Sequence, residues 1–180
     1  GTIAAAGGPP HAIVSSAMVV TGMDVGSTFT VKTISSSSSV AGATNTISVG
    51  LKIDNAALAA ADAITITMGA NKFTTANAAT LTVAGTDAAK FGSAADWVKA
   101  TGVLTLTVAA GQSVAADTAI AITFDLVNVD AVQAALTPTV AGTAIAAAGG
   151  TAIASSDMAV TGMNVATTFT VKTISSSSSV

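Results

Sequence analysis

Chemistry in this chain would have to come from one histidine, nine aspartates, six lysines, one tryptophan and a surplus of serine and threonine. His11 follows Gly7, Gly8, Pro9 and Pro10. With no cysteine, glutamate or second histidine to share a ligand set, it reads as a turn residue. Serine nucleophiles are numerous, yet no G-x-S-x-G elbow occurs, and any triad would have to use that single histidine. Asp125, Asn128 and Asp130 could offer three oxygens to a hard cation such as calcium, but their spacing is not that of a D-x-D-x-D-G loop. They read as strand-end turn residues. Asp54 and Asp62 flank NAALAAAD and read as turn and cap residues, since nothing places them across a cleft as an acid/base pair. Trp97, in SAADWVKA beside Phe91 and Lys99, reads as a plug for one end of a fold or an anchor for a subunit contact; its competing use is to stack on a sugar. The expectation is a protein that is not an enzyme, with no catalytic, cofactor or metal site.

Composition points the same way. The chain has no Arg, Glu, Tyr or Cys, and only 8% of its residues are charged, against about 25% in ordinary domains. A net charge of −3 with six scattered lysines makes no basic patch, which excludes the electrostatic footprint of nucleic-acid binding. The mean hydropathy is +0.72. Even so, the longest apolar run covers only residues 56–61, far short of the ~20 residues of a spanning helix, so no membrane insertion is expected. The chain opens on Gly1 with no signal-peptide pattern and reads as processed or cut from something longer.

The organising feature is a repeat. Residues 11–40 return 140 positions later as residues 151–180, with 23 of 30 positions identical, mild exchanges such as Val14 for Ala154 and Val19 for Ala159, and the Phe and Ile positions unchanged. Such a period indicates an array or a fibre. Apolar/polar alternation predicts seven or eight half-buried strands per repeat. They fall at residues 45–53 (Ile47, Val49, Leu51, Ile53 inward), 63–68, 80–84, 103–108 and 118–127, with a weaker one at 139–145. Strands are also expected near residues 18–21 and at 28–34, where Phe29 and Val31 face inward, and again around Met158 and at 168–174. Short helical turns are expected at residues 93–100 and 130–136. The serine run Ser35, Ser36, Ser37, Ser38 and Ser39 reads as a flexible connection, with a cluster of O-linked glycans as its functional alternative.

The fold class is therefore all-β: a two-sheet antiparallel sandwich of immunoglobulin-like type with exchanged or tandem-repeated terminal strands. Residues 1–40 form an N-terminal strand region, 41–150 the sandwich body and 151–180 the second copy of the terminal strands. If one repeat closes a sandwich, the surplus carries strands that need another copy. Met18, Val20, Phe29, Val31 and Ile34, with Met158, Val160, Phe169, Val171 and Ile174, are the assembly residues. The partner is another copy of the chain, joined head to tail either in a covalent tandem array or by exchange of a terminal strand, with glycans as a further partner.

The segment AITITMGANKFTTANAATLTVAGTDAAKF, followed by LTLTVAAGQSVAADTAIAITFDLVNV, resembles the immunoglobulin-like repeats of large microbial surface proteins. The overall arrangement is similar to pilus and fibril subunits assembled by donor-strand exchange. This resemblance implies an extracellular, cell-surface structural fibre that can carry glycans. The alternative function is a carbohydrate-binding or adhesive module, which would need an exposed aromatic platform.

Overall fold

A computed structural model of the chain describes residues 26–145 and 151–166. The expectations attached to His11, Met18, Val20, Phe169, Val171, Ile174 and the second serine run lie outside the described residues.

The protein is all-β. In chain order the strands are β1 Phe29–Ser36, β2 Thr44–Ile53, β3 Ala63–Thr67, β4 Ala78–Ala84, β5 Ala94–Val98, β6 Val103–Thr107, β7 Ala119–Val127, β8 Thr139–Ile145, β9 Thr151–Asp157 and β10 Ala159–Thr161. Hydrogen bonding runs β10-β1-β2-β7-β4-β5-β6-β3-β8-β9, a mixed sheet nearly closed into a barrel. Two segments carry the pairing around corners. β4 pairs with β5 through residues 78–82 and then with β7 through Val83 and Ala84. The other corner is Met158: β9 pairs with β8, and after this one buried residue β10 pairs with β1.

Period-two alternation places the core. Ile47, Val49, Leu51 and Ile53 of β2, Ile64 and Ile66 of β3, Leu104 and Leu106 of β6, and Ile120, Ile122, Phe124 and Leu126 of β7 are all buried as expected. Each contributes about 1.5–3 kcal/mol when fully buried, so aliphatic side chains supply most of the cohesion in a chain poor in aromatics.

Several expectations are corrected. Residues 93–100 are not helical: Ala95 and Trp97 point inward from β5, which sits between β4 and β6. The only helical turn among the described residues is a 3-10 turn at Ala88–Phe91. Residues 130–136 form no helix either, because their backbone is engaged elsewhere: Gln133 exchanges hydrogen bonds with Val165, and Leu136 N–H donates to Met163 O at 2.9 Å. Val31 is 40% exposed and not inward, because β1 bulges against β2 between Phe29 and Val31 and the side-chain parity flips. Phe29 stays inside on one side of the bulge and Ile34 on the other. On either side of residue 40, β1 and β2 lie side by side, as do β8 and β9 on either side of residue 150.

The ends of the elements carry two sharp dependences. Gly102 lies at φ +69, and a Cβ there would collide with the Gly69 backbone. Left-handed φ costs roughly 1–2 kcal/mol for a non-glycine residue, and the collision adds to it. Gly102→Ala should therefore lose about 3 kcal/mol or more of stability, visible as a lower urea midpoint; an unchanged midpoint would contradict this geometry.

Asp87 accepts from Ala121 N–H at 2.8 Å and from Thr86 Oγ1 at 3.1 Å, and pairs with Lys90 Nζ at 2.9 Å. Its bond to Lys90, followed by that from the Ala121 amide, holds its carboxyl below the ordinary aspartate value, while burial works in the opposite direction. A lowered folded pKa gives stability that is complete above an ordinary aspartate's ~3.9 and is lost as pH falls through the folded value. Asp87→Asn should thus be less stable than the parent at neutral pH, with the gap narrowing in acid, as urea titrations at the two pH values would read.

Candidate assembly junction

Two asparagines stand on the inward parity of apolar strands. Asn45 precedes Ile47 and Val49 on β2, and Asn128 follows Phe124 and Leu126 just beyond β7. Both are buried. A buried amide must find partners or lose the hydrogen bonds water would give it. Asn45 Nδ2 donates to Asn128 Oδ1 at 2.9 Å, and Asn45 Oδ1 accepts from the amides of Ser37 and Ser38 at 3.0 and 3.1 Å. Asn128 Nδ2 donates to the carbonyls of Ser38 and Val40 at 3.1 and 2.9 Å. The pair therefore fixes the backbone of the turn that follows β1.

That turn is the serine run. Ser35 and Ser36 belong to β1, and the hydroxyls of Ser37 and Ser38 accept from Thr46 N–H and Val40 N–H. This is a clamped turn and not the flexible connection expected. Only Ser37 and Ser39 of the five are exposed.

What the turn holds is the end of the second copy. Ser36 Oγ donates to Gly162 O at 2.6 Å, and Ala166 N–H donates to Ser39 O at 2.7 Å, with Val40 and Ala166 bridged in parallel. Met163 and Val165 are buried, between the serine turn on one side and residues 133–136 on the other. Gly162, at φ +72, lets the chain turn after β10. The parallel ladder Thr33–Ala159, Ile34–Val160, Ser35–Thr161 joins the two copies directly. Of the assembly residues within the described part, Phe29, Ile34 and Met158 are buried and Val160 packs partly against the core.

The other candidates are occupied by structure. Asn128 spends its amide on Asn45 and the serine turn, and Asp125 accepts from Thr46 Oγ1 at 2.7 Å. No group of three metal-ligating side chains occurs among the described residues. Asp54 accepts from Thr28 N–H, a long-range tie between the end of β2 and the start of β1, while Asp62 accepts from Ala59 N–H within its own loop. Trp97 is 1% exposed, donates to Thr75 O at 3.1 Å and meets Phe73 edge-on at 6.1 Å. Phe29, Phe73, Phe91 and Phe124 are also buried, so the described surface offers no aromatic for sugar stacking. An open depression of about 460 Å³ over β2, β4 and β7 is lined by Thr46, Thr82, Thr123 and Asp125 among others. No helix among the described residues is long and apolar enough to cross a membrane.

Sequence reasoning missed β9, whose alternation is shallow, and the role of Asn45, whose signal was a polar residue on an apolar parity. Comparison with known proteins adds no assignment: no family model matches the chain, and no curated protein matches it either.

Asn128→Leu would strip two carbonyls and the Asn45 amide of their partners and should cost about 3 kcal/mol. Because the two amides act as one unit, the double replacement of Asn45 and Asn128 by Leu should cost less than the sum of the single ones. Strict additivity in urea unfolding would show that the pair is not coupled.

Proposed function

We propose that this chain is a structural repeat of an extracellular, cell-surface fibre in which similar β-bodies follow one another head to tail. The observation that carries this reading is where the two copies differ. Five of their seven exchanges fall at Ala154, Asp157, Ala159, Asn164 and Ala166, and all five residues are exposed. Of the other two, the pair 11/151 falls outside the described side chains, and at 27/167 the described residue, Ser27, is half-buried. The buried Ile153, Met158, Met163 and Val165 have identical counterparts in Ile13, Met18, Met23 and Val25. Substitution concentrated on the wet side of a segment, with its buried positions kept, is what selection for the same packed role leaves.

In this reading the body also sets the phase of the repeat. Residues 11–21 are counterparts of β9 and β10, and residues 169–176 are counterparts of β1. In this reading the first group closes a preceding body and the second opens a following one. Covalent continuation and strand exchange between separate chains both satisfy this, with the same equivalent surfaces. The immunoglobulin-like sandwich is the finer architecture we assign, supported by the antiparallel runs β1-β2-β7 and β5-β6-β3-β8. O-linked glycans would sit on Ser37 and Ser39, which face water. The low charge suits close packing of neighbouring bodies, and threonine-rich outer faces keep them wet.

The test is a chain lengthened by one period, in which residues 29–168 occur twice. Two bodies should form, with twice the number of strongly protected backbone amides in hydrogen exchange and a protease-resistant core for each. Protection that does not rise above that of the parent chain would sink the repeat reading.

A further inference from the structure

We infer that successive bodies are joined with almost no free linker, so that the array is a stiff rod whose units touch end to end. The inference rests on the repeat reading above and concerns a second copy of this chain as partner. Its first ground is polarity. The chain enters the body where Thr28 is tied to Asp54, at 2.6 Å from its N–H to Oδ1, and leaves at Ala166 beside Ser39 and Val40. These two places lie at opposite ends of β1, whose eight residues span roughly 26 Å. Because β10 runs parallel to β1, the last strand ends at the side of the body opposite to the one where the first strand begins.

The second ground is length. Residues 162–166 look like a connection in sequence, but Gly162, Met163, Val165 and Ala166 are each hydrogen-bonded to their own body. The counterpart of Phe29 is Phe169, so only Thr167 and Thr168 separate the last anchored residue from the next first strand. Thr168 is itself the counterpart of Thr28, which is anchored to Asp54. The three Cα steps from Ala166 to Phe169 reach at most about 11 Å. Bodies tethered that closely cannot swing clear of one another.

The third ground is what lies on the facing ends. Three large hydrophobic side chains are exposed among the described residues, and two of them, Val40 at 48% and Val132 at 67%, lie at the end where the chain leaves. Val40 is bridged to Ala166, and Val132 adjoins Gln133, the partner of Val165. At the opposite end the loops after β2 and β6 carry exposed alanines, Ala60 and Ala116 among them. Small apolar tips would there meet two valines, with the exposed Asp117 beside one end and the exposed Asp130 beside the other.

The lengthened chain tests this directly. The protein has no cysteine, so Ser48→Cys in each body gives a single pair of spin labels, read by electron–electron double resonance. A control pair placed within one body sets the width of a rigid distance distribution. The inter-body distribution should approach that width, broaden severalfold when eight Gly/Ser residues are inserted after Thr167, and broaden measurably with Val40→Lys and Val132→Lys together. An inter-body distribution in the parent junction as wide as that of the Gly/Ser insertion would overturn the stiff junction. A second body lacking amide protection would instead overturn the repeat reading, so the two failures are told apart.

Discussion

Closure of the body depends on one short parallel ladder, three residue pairs between β1 and β10. A parallel pair can only be made by segments distant in sequence, because the chain must travel the length of the strand before it can lie alongside in the same direction. Here the distance is almost a whole repeat, so the first and last strands meet only after every other strand has been placed. The serine turn, the two buried asparagines and the plug of Met163 and Val165 all serve that contact. Each satisfies backbone groups that the seam would otherwise leave unpaired.

Much of the fold could be read from alternation, and the exceptions have physical causes. β2, β3, β6 and β7 are strict alternators of branched aliphatics with Thr, Ser, Ala or Lys, and they lie within a residue or two of their expected bounds. β5 misled because Ser93 and Asp96 have the spacing of a helix cap. The competing signal was the small–large alternation of Ala95 and Trp97, bounded by Gly92 and Gly102, and tertiary pairing on both sides decided the outcome. Residues 130–136 misled for a different reason: their helical partners are displaced by a segment from the other copy, which no local window can contain.

The junction was only half visible. The repeat itself announced that residues 11–40 and 151–180 share a role, and the apolar positions named for assembly include four that pack in the described body. The serine run gave the wrong impression because low-complexity serine normally marks solvated chain. Its order comes from Asn45 and Asn128, 83 residues apart. A polar side chain at an inward position of a strand carries that information in the sequence, but only its partner says whether it is a site, a defect or a clamp. Val31 shows the same limit at the level of one strand, since a bulge is invisible until the neighbour is known.

The spacing of the copies also decides which body each segment can serve. For residues 19–21 to take the place of β10 beside the β1 that follows them, residues 22–28 would have to return along the whole strand. By the register of β10 on β1 that return runs from the level of Ser35 to Phe29, about 20 Å, which an extended chain from residue 21 to residue 29 can reach. A parallel connection within a sheet, however, needs a dozen residues or more, and these are too few. The proposed repeat thus assigns each closing segment to the body before it and each opening segment to the body after it, because a connection this short does not make a parallel crossover within one body.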